Sequence, residues 1–77
     1  MEYSKLDTVV LTCDKPEHGL CAGDLGAVVE VHEPGGLEVE FVTASGRTKA
    51  LLTLETSDVR PIEDTDLVAV RSVRRSA

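Results

Sequence analysis

The chain has 77 residues, a formal net charge of −6, one tyrosine, one phenylalanine and no tryptophan. This length supports one domain with a single core built mostly from Val, Leu, Ile and Ala, and it leaves little room for a deep substrate pocket. The acidic balance argues against binding to nucleic acid or to acidic lipid. The longest apolar run, Leu67–Val70, is far short of the roughly 20 residues in a membrane span. We therefore expect a cytoplasmic protein.

Apolar and polar residues alternate with a period of two, which predicts strands with one face in a core and the other in water. The predicted strands span residues 7–12, 25–33, 37–43 and 49–54, and the apolar run 67–70 is the predicted closing strand. The predicted core residues are Val9, Leu11, Leu20, Val29, Val31, Val39, Phe41, Leu52, Leu54 and Val59. Val10 is expected on the face opposite to its neighbours in the first strand.

Turn residues separate these strands. Pro34–Gly36 and Ala44–Gly46 indicate tight hairpins, Pro16–Gly19 lies in a longer connection, and Ser57–Pro61 predicts one helical turn. This order of connections is typical of SH3-like barrels. We therefore predict an all-β fold, a small and partly open SH3-like barrel of about five antiparallel strands with one short helical turn. We expect a single domain over residues 1–77, with the barrel in residues 5–70 and a flexible tail in residues 71–77.

One pattern of residues extends through most of the chain. It consists of Leu6-Asp7-x-Val9-x-Leu11, Pro16-Glu17-His18-Gly19-Leu20, Gly23-Asp24-x-Gly26-x-Val28-Val29-Glu30-Val31, Glu38-Val39-Glu40-Phe41 and Leu51-Leu52-Thr53-Leu54. This pattern resembles a family of small uncharacterised bacterial domains, over roughly residues 6–62. The resemblance implies a stand-alone protein with no assigned activity, sometimes encoded near other small proteins in toxin–antitoxin-like settings, and hence a partner-binding role. A weaker similarity links Gly23–Val29 to the KOW-type motif, although this chain has acids where those barrels have Lys and Arg.

The densest polar cluster contains thiol, imidazole and carboxylate groups, which are metal ligands. Its candidate ligands are Cys13, His18 and Cys21. Their spacing matches no standard zinc pattern, so we expect no metal and no other cofactor. A catalytic Cys–His pair needs a cationic setting that lowers the pKa of the thiol, whereas acidic residues surround both cysteines. We therefore expect no enzyme activity.

Carboxylates on neighbouring strands form the candidate partner-binding surface. Glu38 and Glu40 are predicted to point outward from the third strand, with Glu30 nearby on the paired strand. Together with Glu17 and His18 in the first loop, they would attract a basic protein. We therefore predict a non-catalytic protein–protein interaction module with a basic partner encoded nearby. Two alternatives remain open: an antitoxin-like or immunity-like neutraliser of a basic partner, and a metal-binding accessory protein.

Self-association is a further expectation from the sequence. A barrel of short strands is often incompletely closed and leaves edges with unpaired N–H and C=O groups. A symmetric homodimer would satisfy those groups, and added salt would strengthen it because the acidic chains repel each other. The segment Arg71–Arg75 contains three arginines, and we predict that it lies in a solvated end of the chain.

Overall fold

Five antiparallel strands form one sheet in the computed structural model, which describes residues 2–73. The strands are β1 (Thr8–Leu11), β2 (Leu25–His32), β3 (Gly36–Val42), β4 (Thr48–Glu55) and β5 (Val59–Pro61). Two 3₁₀ turns, Pro16–His18 and Thr56–Asp58, replace the single helical turn that was predicted. The spatial order β4-β3-β2-β1-β5 is that of a partly open SH3-like barrel, and it confirms the predicted all-β fold. No helix in residues 2–73 is long and apolar enough to cross a membrane.

Glycines with positive φ close the two hairpins, as their positions in the sequence predict. Gly35 (φ 73°) lies between β2 and β3, and Gly46 (φ 89°) lies between β3 and β4. A residue without a Cβ adopts this backbone region at no steric cost. The Thr43 N–H donates to the Arg47 carbonyl at 2.9 Å and closes the second loop.

The core is built from alternate residues of the strands. Val9 and Val39 are fully buried, and Leu11 is almost so. The core cluster consists of Val9, Leu11, Leu20, Val28, Leu37, Val39, Phe41, Leu52, Leu54 and Val59. Two residues that were predicted as members, Val29 and Val31, do not belong to this buried cluster.

A β-bulge in β2 explains this difference. Val28 and Glu30 pair with residues of β3 that are adjacent in sequence, so Val29 is an extra residue in β2. An extra residue interrupts the alternation of the two faces. Val28 is therefore fully buried and Val29 is only half-buried, so the prediction of Val29 as a core residue was wrong. Val31 lies opposite Leu37 and packs against the core, as predicted, although it is only partly buried.

The last strand is not the one that the sequence predicted. β5 follows directly on the second 3₁₀ turn and pairs with β1, where Val59 lies opposite Leu11. Residues 67–70 form no strand, and Leu67 and Val70 are 95% and 97% exposed. Because β2 and β5 already pair with the two sides of β1, residues 67–70 cannot pair with that strand.

Residues 62–73, called the C-terminal strap below, continue beyond β5 without regular structure. Val10 lies on the face opposite to Val9 and Leu11, as predicted, and outside the core cluster. It is nevertheless only 6% exposed, because it lies beneath a groove that the strap partly walls. Residues 71–77 were predicted as a flexible tail. Within this segment Arg71 is ion-paired, and residues 74–77 lie outside the described residues.

β4 forms one edge of the sheet. The Thr56 N–H donates to the Gly35 carbonyl at 3.0 Å, immediately after the β3–β4 ladder. In an antiparallel ladder, alternate residues turn their N–H and C=O groups towards the neighbouring strand. By this alternation, Leu51 and Thr53 turn theirs away from β3 and along the outer edge.

Candidate functional site

Three glutamates lie on the outer side of the sheet and are called the acidic face below: Glu30, Glu38 and Glu40. Glu30 on β2 lies directly opposite Glu38 on β3, because the bulge at Val29 brings the two into register. Glu40 is two positions further along β3 and its sequence neighbours are buried, so it faces the same way as Glu38. The structure thus brings the three predicted glutamates together.

Local counter-charges neutralise the acidic face only weakly. Lys5 Nζ lies 3.5 Å from Glu30 Oε1, and His32 Nε2 lies 3.4 Å from Glu38 Oε1. The four side chains are 34–64% exposed, and a polar contact at such partly exposed positions contributes little and is screened by salt. Three glutamates thus lie beside a single lysine, and the acidic face keeps a net negative charge.

Apolar side chains border the acidic face. Leu51 of β4 lies opposite Glu40 and is 53% exposed. Val42, two positions after Glu40 on β3, is 55% exposed. The Thr48 hydroxyl donates a hydrogen bond to the Glu40 carboxylate and holds that side chain over β4. The acidic face is thus bordered by exposed apolar surface at Leu51 and Val42.

The first 3₁₀ turn carries the other two predicted partner-binding residues, Glu17 and His18. Both are exposed, and Gly19 ends the turn in the left-handed conformation with φ 70°. The turn belongs to the connection that precedes β2. The structure therefore holds these two residues on a loop of their own, away from the register positions that unite the three glutamates.

Cys13 and Cys21 are both free thiols, and their surroundings differ. Cys13 is half-buried, with its Sγ 3.6 Å from an Asp58 carboxylate oxygen, whereas Cys21 is exposed. Within the described part of the chain, no group of three His, Cys, Asp or Glu side chains is arranged to hold a metal ion. The candidate ligands Cys13, His18 and Cys21 are thus not brought together as a metal site there.

A groove of about 600 Å³ lies between the barrel and the C-terminal strap. Its barrel side includes Val10, Leu20, Leu25 and Phe41, and residues of the strap form the other side. Sequence reasoning did not predict this groove. The available signal was the apolar run of the strap, which was assigned to a strand of the sheet.

Arg71 anchors the strap to the loop before β2. Its Nε donates to Asp24 Oδ1 at 2.9 Å, and its Nη2 donates to Asp24 Oδ2 and to the Gly19 carbonyl, the latter at 3.1 Å. The Asp24 carboxylate also accepts the Cys21 N–H at 2.8 Å. The hydrogen bonds from Arg71 hold the pKa of Asp24 below its ordinary value, against an opposing effect of partial burial.

A second arginine–aspartate pair fixes the start of the strap. Arg60 Nη1 and Nη2 donate to the two carboxylate oxygens of Asp66, each at 2.9 Å. The Asp66 carboxylate also accepts the Glu63 N–H at 2.8 Å, which closes the turn between β5 and the rest of the strap. A bidentate ion pair therefore holds the strap at Asp66, and a second one holds it at Arg71.

Fold and surface together define a small all-β domain of the partly open barrel class, with an acidic outer face and a groove walled by its own C-terminal strap. A family model for the domain of unknown function DUF4926 matches residues 5–61, most of the chain. The chain belongs to this family, which confirms the resemblance to uncharacterised small domains. No curated protein and no solved structure matches the chain. The matched region ends with β5, so it includes the acidic face, and the strap lies beyond it.

Proposed function

We propose that this domain is a non-catalytic module that binds a basic protein through the acidic face. The observation that supports this most is the position of Glu30 directly opposite Glu38. Like charges directly opposite each other destabilise a sheet, and Lys5 and His32 each approach only one of the two carboxylates. A lysine or arginine of a partner that bridges the two carboxylates would relieve their repulsion.

The apolar border suits the same partner. Leu51 and Val42 are each about half exposed, and burial of such apolar surface in an interface favours association. Charge contributes mainly to the rate and specificity of the encounter. We therefore expect a partner with basic side chains over the glutamates and an apolar contact beside them.

An antitoxin-like or immunity-like neutraliser is a narrower form of this proposal. Its partner would be a basic protein encoded nearby, and it would use the same acidic face. The two forms differ in one observable property. A neutraliser abolishes the activity of the protein that it binds, whereas a general interaction module leaves that activity measurable.

Affinity capture from the native host, followed by binding measurements with the purified partner, tests the proposal. The acidic-face variant is Glu30→Gln/Glu38→Gln/Glu40→Gln. We expect a basic protein that binds the parent, and that binds this variant at least tenfold more weakly. The difference should lie mostly in the association rate at low salt, because electrostatic steering changes such rates by about 10- to 1,000-fold.

A control variant removes the same number of charges elsewhere. Glu2→Gln/Glu63→Gln/Asp64→Asn changes three exposed residues outside the acidic face. It should bind the partner with the affinity of the parent. Equal weakening by the two variants would show a general charge effect and contradict a defined site. Circular dichroism of both variants establishes that they fold.

A further inference from the structure

The strap supplies an arginine to a site that belongs to the rest of the domain. Asp24 and Gly19 lie within residues 5–61, the part that matches the family, whereas Arg71 lies beyond it. The acceptor groups therefore lie in the part of the chain that the family model matches, and the side chain that fills them lies outside it.

Three acceptor atoms converge on the guanidinium group of Arg71: the two Asp24 carboxylate oxygens and the Gly19 carbonyl oxygen. The Asp24 side chain is only 19% exposed, and the Cys21 N–H holds its carboxylate in place. A guanidinium presents its N–H groups in a fixed planar fork that matches this arrangement, whereas the ammonium of lysine acts as a point charge. The site therefore selects arginine.

The arginine site opens beside the apolar groove of about 600 Å³. Leu20, Leu25 and Phe41 contribute to the barrel wall of this groove. The strap's apolar side chains differ in burial: Leu67 and Val70 are 95% and 97% exposed, whereas Ile62 and Val73 are half-buried. Between Asp66 and Arg71 the strap therefore buries little apolar surface, and an ion pair holds each end of this stretch.

We propose that Asp24, Gly19 and the barrel wall of the groove form a binding site for an extended apolar peptide segment of another protein, one that carries an arginine and takes the place of the strap there. In the absence of that protein, Arg71 occupies the arginine position, and it leaves Asp24 when the partner's arginine enters. Charge complementarity identifies this occupant, because a carboxylate and a carbonyl aimed at one point accept a guanidinium. The groove shares Val42 with the apolar border of the acidic face, but the three glutamates lie outside it. This site therefore does not depend on the function proposed for the acidic face.

An NMR titration of the full chain tests the inference. The probe is the peptide acetyl-Leu-Val-Ala-Val-Arg-amide, which repeats residues 67–71, and a second peptide carries neutral citrulline in place of the arginine. The protein is Arg71→Ala, in which the site is vacated. We expect saturable shifts of the Gly19 and Cys21 amide signals with the arginine peptide, and binding at least tenfold weaker with the citrulline peptide.

Two further proteins complete the comparison. Arg71→Ala/Asp24→Asn should bind the arginine peptide at least tenfold more weakly than Arg71→Ala. The parent should bind it several-fold more weakly than Arg71→Ala, because a tethered arm competes at an effective concentration of about millimolar. Equal binding of the two peptides, no binding to Arg71→Ala, or equal affinity of the parent and Arg71→Ala would each overturn the inference. If Arg71→Ala proves unfolded, Arg71→Gln takes its place.

The same titration separates this site from the acidic face. Glu38→Gln combined with Arg71→Ala leaves Asp24 and the groove intact and should bind the arginine peptide within twofold of Arg71→Ala. A loss of binding in this variant would mean that the peptide sits on the acidic face, and it would overturn the inference. The proposed partner of the acidic face can fail to appear without affecting this result.

Discussion

Replacing Gly26 by alanine adds one methyl group where β2 passes over the core. Gly26 is buried and lies opposite Val9 of β1. An alanine Cβ at this position would lie 2.6 Å from Val39 Cγ1 and 2.9 Å from a Phe41 ring carbon. Carbon atoms in favourable contact are about 3.5–4.0 Å apart. Because both neighbours are themselves buried, the methyl group can enter only if the sheet or the core shifts.

Overpacking of this kind typically costs about 1–3 kcal/mol. The loss is partly offset by about 0.4–1 kcal/mol, since alanine reduces the freedom of the unfolded chain. We expect Gly26→Ala to lower the free energy of unfolding by about 1–2 kcal/mol. In a domain of this size each kcal/mol corresponds to about 4–8 °C in Tm, so the expected decrease is roughly 4–16 °C.

Gly36→Ala is the matched control for this measurement. Gly36 also lies in a strand, but its added Cβ would meet only His32 atoms, at 3.5 Å, which is ordinary contact. Its Tm should therefore stay unchanged or rise slightly. Thermal melts followed by circular dichroism compare the two variants with the parent. If Gly26→Ala has the same Tm as the parent, or if both variants lower the Tm equally, the close approach of β2 to Val39 and Phe41 of β3 is refuted.

Two more predictions concern the core and the strap. Phe41→Ala should lower the free energy of unfolding by about 3–5 kcal/mol because the ring is 3% exposed. Val42→Ala on the outer face should change the free energy of unfolding by less than about 0.5 kcal/mol. Similar urea midpoints for the two variants would contradict this. The pKa of Asp24 is lowered in the folded chain, so its pair with Arg71 stabilises the fold above the ordinary Asp pKa of about 3.9, and this stability is lost as the pH falls through the folded value. Arg71→Gln should therefore lose less stability than the parent between about pH 5 and pH 2 in urea titrations. Identical acid dependence in the two proteins would show that the pair is not formed in solution.

The strands could be predicted where the alternation of side chains is local. In β3, Val39 and Phe41 point inward and Glu38 and Glu40 outward, as the sequence alone indicates. The inward face of β2 could not be predicted in this way. A bulge depends on pairing between strands, and the sequence around it contains two adjacent valines, so no change of residue type marks the interruption at Val29.

The glutamates of the acidic face could be predicted from the sequence, but the arginine site could not. Asp24 and Arg71 are 47 positions apart, and neither lies in a pattern that signals the other. An arginine that follows an apolar run near the chain end has the same composition as a solvated tail. The run itself was noticed, yet it was assigned to the sheet because the three-residue strand Val59–Pro61 overlapped the predicted helical turn.

The outer edge of β4 limits how this protein can aggregate. Over the described residues, Leu51 and Thr53 offer N–H and C=O groups along that edge, but the Glu55 N–H is already bonded to the Asp58 carboxylate at 3.0 Å. At the other end the register with β3 slips beside Lys49, and a bulge twists an edge away from an approaching strand. A second chain could therefore join over only a short stretch. A carboxylate at one end and a kink at the other thus restrict pairing along this edge, and the opposite edge of the sheet is the three-residue strand β5.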